Sequence, residues 1–230
     1  MGGPGLIVFD VNETLLSLDP IRRRLESIFG ADPPIGEWFA RLLHGSLVAN
    51  TLDAYRPFDE LAAEALINLA ARRGLLVRAE DAVAAVDMSA LPPHPDVIEG
   101  MGRLASAAIP MVALTNGSAP VAKAQMESSG LAELLDRVIS VDEVRRFKPD
   151  PTPYHHVSES MGVALDDIVM VAAHDWVCAG AMSIGAEAVF LRRPGSLWGL
   201  PTPPPDKQFL DLLEWPPPSG RDRLLRQART

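Results

Sequence analysis

Cysteine is nearly absent from this chain. Cys178 is the single one, so no internal disulfide can form, and a reducing compartment is expected. Basic residues are also scarce relative to acids: 21 Lys and Arg stand against 30 Asp and Glu, a formal charge of −9. A surface of that sign disfavours nucleic acid and anionic membrane as partners. It does not disfavour a small anionic substrate, because one local Arg or Lys can dominate a cleft. No apolar run is long enough to span a bilayer. No basic segment followed by an apolar stretch opens the chain, so no signal peptide is expected and a cytoplasmic protein is. Aromatic residues make up only 6%, yet the apolar fraction of 47% over 230 residues supports a sizeable core. That size suits one domain with an insertion or two small domains.

Strand signals are missing between Asp19 and Leu91. Before that gap, Leu6-Ile7-Val8-Phe9 is a short apolar run that meets Asp10 at once, the pattern of a buried parallel strand ending in a loop. Inside the gap, helices are predicted over Pro20–Phe29 (Asp19 as N-cap), Glu37–Leu43, Phe58–Ala71 and Arg78–Val86. Pro92-Pro93-His94-Pro95 reads as a return linker. Beyond it, helix and strand alternate: helix Val97–Ala108, strand Met111–Leu114, helix Pro120–Ser129, strand Arg137–Ser140, helix Pro153–Met161, strand Ile168–Ala172, helix Val177–Ile184, strand Ala188–Leu191. Residues 200–218 are proline-rich and read as irregular, and the charged tail after Ser219 as mobile. The pattern predicts an α/β fold: a Rossmann-like parallel sheet core (1–16 and 92–230) with a helical cap inserted after the first strand (17–91).

Parallel strands bring their carboxyl ends to one edge, where α/β proteins bind ligands. Asp10 with Thr14, Thr115-Asn116 and His174-Asp175 all follow predicted strands, and Lys148 lies in a loop between Phe147 and Pro149. A carboxylate can attack carbon or phosphorus and form a covalent intermediate if a cation holds it ionised and aimed. Asp10 fits the nucleophile and Lys148 the cation. Thr115 and the N–H groups of Asn116 and Gly117 precede a helix and can hold an anion. His174 or Asp175 could serve the water that opens the intermediate. Plainer readings stand beside these. A strand-ending Asp caps turns, Asp175 suits a helix N-cap, and Trp176 and Phe39 suit packing. His155-His156 cannot share a helix face and gives no metal site; Cys178 reads as a small buried apolar residue.

Four segments in order, Phe9-Asp10-Val11-Asn12-Glu13-Thr14-Leu15, Leu114-Thr115-Asn116-Gly117-Ser118, Phe147-Lys148-Pro149-Asp150-Pro151 and Val171-Ala172-Ala173-His174-Asp175-Trp176, resemble the haloacid dehalogenase superfamily. Within it they look most like the type II L-2-haloacid dehalogenases. The resemblance covers nearly the whole chain, including the position of the helical cap. It implies that Asp10 forms an ester with the halogen-bearing carbon and that Lys148 fixes the charge of Asp10. Thr14 would hold the first loop, and Thr115 and Asn116 would bind the substrate carboxylate or orient Asp10. Arg41 would help draw off the halide, and Trp176 would line the pocket. It also implies a homodimer and no cofactor.

The departures narrow the chemistry. Phosphatases of the superfamily carry a second acid where Asn12 stands, and Asn12 has no acidic proton to give. They hold Mg²⁺ with a Gly-Asp pair where Ala172-Ala173 stands and a further Asp where Val177 stands, so no metal site is expected. Halide leaves without protonation, which points to C–X cleavage of a short 2-haloalkanoate. The dehalogenases, however, carry Tyr, Asn and Asp where Asn12, His174 and Val177 stand. The group that activates water is therefore open between His174 and Asp175. Two alternatives remain: a phosphohydrolase of the same superfamily, and a low-turnover binding or regulatory protein using the same cleft.

Overall fold

The computed structural model describes residues 4–217; the tail after Ser219 lies outside them. The strands are β1 (Leu6–Phe9), β2 (Met111–Thr115), β3 (Arg137–Ser140), β4 (Ile168–Ala172), β5 (Glu187–Leu191) and β6 (Lys207–Phe209). They form one sheet in the order β3-β2-β1-β4-β5-β6, every neighbouring pair parallel. All four residues of β1 are buried because the sheet is covered on both sides. Ile7 and Phe9 join Met111, Ala113, Val169 and Val171 on one face; Leu6 and Val8 join Val112, Leu114, Met170 and Ala172 on the other. The first face meets α5 (Val97–Ala105), and the second meets α7 (Pro151–Met161) and α8 (Asp175–Ser183). A fourth core helix, α6 (Ala119–Ser129), leads from β2 to β3.

Between β1 and α5 stand α1 (Asp19–Phe29), α2 (Ile35–Thr51), α3 (Phe58–Arg72) and α4 (Ala79–Ala85). Each packs on its neighbour in the chain, and α1 also touches α4. The two connections to this insert run side by side: the Ser17 N–H donates to the Pro92 carbonyl at 2.8 Å and the His94 N–H to the Leu15 carbonyl at 2.9 Å. Trp38, Leu42, Phe58, Leu66 and Leu69 continue the first apolar cluster from the sheet into the insert without a break. Trp38 also donates its indole N–H to the Ala62 carbonyl at 3.0 Å, so its buried polar atom is satisfied.

Several elements differ from the sequence expectation. α2 runs well beyond Leu43, because Trp38, Leu42, Ser46 and Ala49 form a buried stripe at helical spacing and the Ser46 hydroxyl donates to the Leu43 carbonyl at 2.8 Å. Asp19 is the first residue of α1 rather than its cap, with Leu18 before it. α5 stops at Ala105, and Ala108 beyond it takes a φ of 54° that no right-handed helix continues. The 200–218 stretch contains β6, whose Phe209 pairs with Leu191. Three residues, two of them exposed, leave no apolar periodicity to read. At the far end of α7, Gly162 closes the helix in the left-handed region at φ 64°.

The C-terminal segment is laid across α5. The Leu212 N–H donates to Asp96 Oδ2 at 2.8 Å, and Arg103 donates to the Leu213 carbonyl at 2.8 Å. A Cβ on Gly100 would stand 2.5 Å from Leu212 Cβ. Gly100→Ala is therefore expected to lower stability by about 1–3 kcal/mol through overpacking; urea unfolding measures it.

Candidate active site

Asp10 follows β1 directly and its N–H continues the ladder to the Val171 carbonyl at 3.0 Å. The central position of β1 between β2 and β4 puts the Asp10 side chain among the ends of three strands. Lys148 Nζ donates to Asp10 Oδ1 at 2.7 Å, and the Thr14 hydroxyl donates to Asp10 Oδ2 at 2.6 Å. Thr14 Oγ1 in turn accepts the Ala173 N–H at 2.9 Å, tying the loop after β1 to the end of β4. Lys148 Nζ also donates to the Leu114 carbonyl at 2.5 Å, at the end of β2. Asp10 and Lys148 are 5% and 1% exposed, so the ion pair is out of water. Burial pushes the Asp10 carboxyl up; the Lys148 ammonium, then His174 and the hydrogen bonds from Lys148 and Thr14, outweigh it and hold the carboxyl below its ordinary value. Burial lowers Lys148 from the ordinary lysine value, and the Asp10 charge opposes that shift. The result is a carboxylate that stays ionised while desolvated.

The main chain of Lys148 is also held. Its N–H donates to Asn116 Oδ1 at 2.9 Å, and Asn116 Nδ2 donates to its carbonyl at 3.4 Å. Both polar atoms of the Asn116 side chain thus engage the loop that carries the ammonium. The neighbouring Thr115 Oγ1 accepts the Gly117 N–H at 3.0 Å. Asn12 turns away from Asp10: Gln125 donates to its Oδ1 at 2.9 Å and its Nδ2 faces Met88 Sδ at 3.6 Å.

His174 sits against the first loop. Its Nε2 lies 3.1 Å from the Asn12 carbonyl, 3.9 Å from Asp10 Oδ2 and 4.0 Å from Glu13 Oε2. A carbonyl can only accept, so Nε2 carries a hydrogen there and Nδ1 is the basic nitrogen of the neutral ring. The imidazole is sandwiched between Phe39 of α2, with centroids 5.5 Å apart, and Trp176, at 5.3 Å. Asp175 behaves differently: its Oδ1 accepts the Trp176 N–H at 2.8 Å and its Oδ2 the Gly199 N–H at 3.0 Å. Arg41 stays on α2 with Glu37, 2.8 Å away, which also binds Arg73. The structure therefore gathers Asp10, Thr14, Lys148, Asn116 and His174 into one bonded network and leaves Arg41 and Asp175 outside it. Val177 is fully buried in the apolar layer under α8, and Tyr154 donates to its carbonyl at 3.0 Å.

Sequence reasoning missed three residues here. Glu13 holds a φ of 59°, a conformation that strains any side chain but glycine. Burial raises its carboxyl, the charge of His174 pulls it down, and Asp10 adds to the upward shift. Arg193, two residues past β5, is 7% exposed and donates to the Thr14 carbonyl at 2.9 and 3.2 Å while pairing with Asp96 at 2.6 Å. His94 Nε2 faces the Glu13 carbonyl at 3.2 Å. The carbonyls of Asn12, Glu13 and Thr14 are thus each met by a side chain from another part of the chain: His174, His94 and Arg193. A basic residue just after a strand on the ligand edge was the available signal for Arg193; for Glu13 it was an acid three positions beyond Asp10. Among the described residues, no three His, Cys, Asp or Glu side chains are grouped to hold a metal ion, and no helix is long and apolar enough to cross a membrane.

Fold and geometry together define an α/β protein with an aspartate-centred site at the carboxyl edge of its sheet. The chain belongs to the haloacid dehalogenase-like hydrolases, whose family model matches residues 4–172. It is 27% identical to (S)-2-haloacid dehalogenase H-109 of Pseudomonas putida, over 90% of this chain and 94% of that one. It is 28% identical to (S)-2-haloacid dehalogenase 4A of Burkholderia cepacia, over 89% and 87%. Among solved structures, a dehalogenase with an intermediate complex superposes with a TM-score of 0.84 at 26% identity, covering 93% of this chain and 96% of that one. An L-2-haloacid dehalogenase from Xanthobacter autotrophicus with chloropropionic acid covalently bound shares the fold, with a TM-score of 0.83 at 23% identity, covering 97% and 98%.

The pair's energetics are testable without any substrate. Lys148→Met leaves a buried carboxylate without its partner and is expected to cost about 3–5 kcal/mol. Asp10→Asn/Lys148→Met removes both charges and is expected to recover most of that loss in urea unfolding.

Proposed function

We propose that this hydrolase is a 2-haloacid dehalogenase acting on a short 2-haloalkanoate. The observation that carries the reading is the ionised, water-excluded Asp10 carboxylate beside the Lys148 ammonium at 2.7 Å, in a chain alike over nine-tenths of its length to (S)-2-haloacid dehalogenases. A desolvated carboxylate is a stronger nucleophile than a hydrated one. An Asp10 oxygen attacks C2 of the substrate, the C2–O bond forms, and the C2–halogen bond breaks with its electron pair leaving as halide. The product is an aspartyl ester, neutral at Asp10.

Water then adds to the ester carbonyl carbon of Asp10, and the bond from that carbon to the substrate oxygen breaks. The 2-hydroxy acid leaves with a proton on its new hydroxyl, and Asp10 returns to its ionised form with one proton released to solvent. His174, whose ring stands 3.9 Å from Asp10, takes the water's proton. Its imidazolium is balanced by Glu13, the carboxylate that still faces it once Asp10 is esterified. This pair does the work of a carboxylate at position 177, where Val177 offers none. Asp175, held by two backbone N–H groups, supports the turn into α8 instead.

Thr14 and Thr115 shape the site, Asn116 and Lys148 aim Asp10, and Trp176 with Phe39 forms the wall around His174. Asn12 supplies no acid for phosphate chemistry. Arg41, 31% exposed and paired with Glu37, which it shares with Arg73, would have to exchange that carboxylate for the departing halide on the insert side. Residues 17–91 act as the cap over a core of 1–16 and 92–230, in a cytoplasmic protein. In a homodimer, the exposed Leu47 and Val48 of α2 and Leu52 beyond it offer the apolar contact.

Halide release from 2-chloropropionate and 2-bromopropionate tests the reading. Wild type should release halide and Asp10→Asn should not; no release from either substrate by wild type removes the claim. His174→Gln and Glu13→Gln should give one halide per Asp10 and then stall, with the ester visible by intact mass. Steady turnover by both variants would show that neither activates water. The first displacement should hold its rate down to the lowered Asp10 value, below the ordinary 3.8. It should fall on the alkaline side as Lys148 loses its proton, at a pH below the ordinary 10.5. Single-turnover halide release across pH measures both limbs.

A further inference from the structure

Asn50 lies in the last turn of α2, in the helical insert, and grips a residue 97 positions away. Its Nδ2 donates to the Phe147 carbonyl at 2.8 Å, and its Oδ1 accepts the Phe147 N–H at 2.9 Å. The next residue is Lys148, whose N–H and carbonyl are gripped in the same two-point manner by Asn116. Two asparagines therefore hold two consecutive residues of the main chain, one reaching from the insert and one from the end of β2. The flanking residues join the same seam. Arg146 pairs with Asp53 at 2.7 Å, and the buried Phe147 ring packs against Tyr55 and Phe58 with centroids 5.0 and 5.8 Å apart. Tyr55 donates to Asp142, whose other oxygen accepts the Ala119 N–H at 2.7 Å. Every insert residue in this seam falls within 50–58.

We propose that Asn50 is a positioning residue for Lys148, so that the seating of the insert sets where the ammonium meets Asp10. The inference rests on the dehalogenase reading for its kinetic test and on geometry for its content. Lys148 lies in a loop between β3 and α7 with no strand or helix to fix it. Its ammonium sits at the end of a flexible four-carbon stem. A displaced main chain at Phe147 and Lys148 displaces Nζ, and a misplacement of about 1 Å can cost a hundredfold in rate. Asn116 holds the Lys148 main chain from the core side; Asn50 supplies the grip from the insert side, where Phe39 stacks on His174.

The test uses the full-length protein with Asn50→Ala and Asn50→Asp. Asn50→Asp keeps the acceptor for the Phe147 N–H and loses the donor to its carbonyl. Two measurements are made: single-turnover halide release from 2-bromopropionate, and acetylation of Lys148 by acetic anhydride, read by peptide mass. Asn50→Ala is expected to release halide about ten- to a hundredfold more slowly, with the substrate concentration for half-saturation changed by no more than about twofold. Lys148 should be acetylated faster than in wild type, and Asn50→Asp should fall between the two. A folded Asn50→Ala with both halide rate and Lys148 labelling like wild type would overturn the proposal. If Asn50→Ala does not fold, Asn50→Asp decides by the same two measurements. If wild type itself releases no halide, the dehalogenase reading fails, and Lys148 labelling alone decides the role of Asn50.

Discussion

The contact on which this structure depends is the buried ion pair between Asp10 and Lys148. Placing a carboxylate and an ammonium out of water costs more than their mutual attraction returns unless every remaining donor and acceptor is satisfied. Here both Asp10 oxygens are engaged, by Lys148 and Thr14, and the ammonium has a second acceptor in the Leu114 carbonyl. Those partners come from the loop after β1, from β2 and from the loop before α7. The sheet order that places β1 between β2 and β4 is what lets them meet.

Around that pair the loop after β1 is held in a conformation it would not adopt alone. Glu13 sits at positive φ, a strained state that persists only where its surroundings over-determine it. The surroundings here are the side chains of His174, His94 and Arg193, each against one of three successive carbonyls. Arg193 carries the constraint outward through Asp96 to the Leu212 N–H, so the segment around Leu212 supports the Asp10 loop from a distance. The insert reaches the site in two places: Phe39 stacks on His174, and Asn50 grips Phe147 beside Lys148. The membership in a hydrolase family that the four motifs implied is matched by the family model over residues 4–172.

Much of this was legible in the residues. The central strand showed as Leu6-Ile7-Val8-Phe9, because a strand covered on both faces needs an unbroken apolar run. Helix and strand alternated from Val97 onward at intervals that a parallel sheet requires. Asp10, Thr14, Asn116 and His174 could be picked out because each is a polar residue at or just past a strand end, and Lys148 because it stands in the loop segment Phe147-Lys148-Pro149. Legibility stopped where packing overrode local pattern. α2 runs through Gly45 and Ser46 because its stripe is buried against α3, and β6 forms from a short polar piece because Leu191 offers an edge.

The sequence by itself determined the fold class, the order of the elements from β1 to β5 and the acid around which the site is built, since periodicity and residue type are local properties. Only the tertiary structure decided which of two adjacent residues, His174 or Asp175, faces Asp10. The turn into α8 aims one inward and hands the other to the N–H groups of Trp176 and Gly199. It alone placed Glu13, Arg193 and Asn50 as well. Their contacts join positions up to 179 residues apart, and a distance of that kind is settled by how helices and strands pack, which no stretch of neighbouring residues encodes.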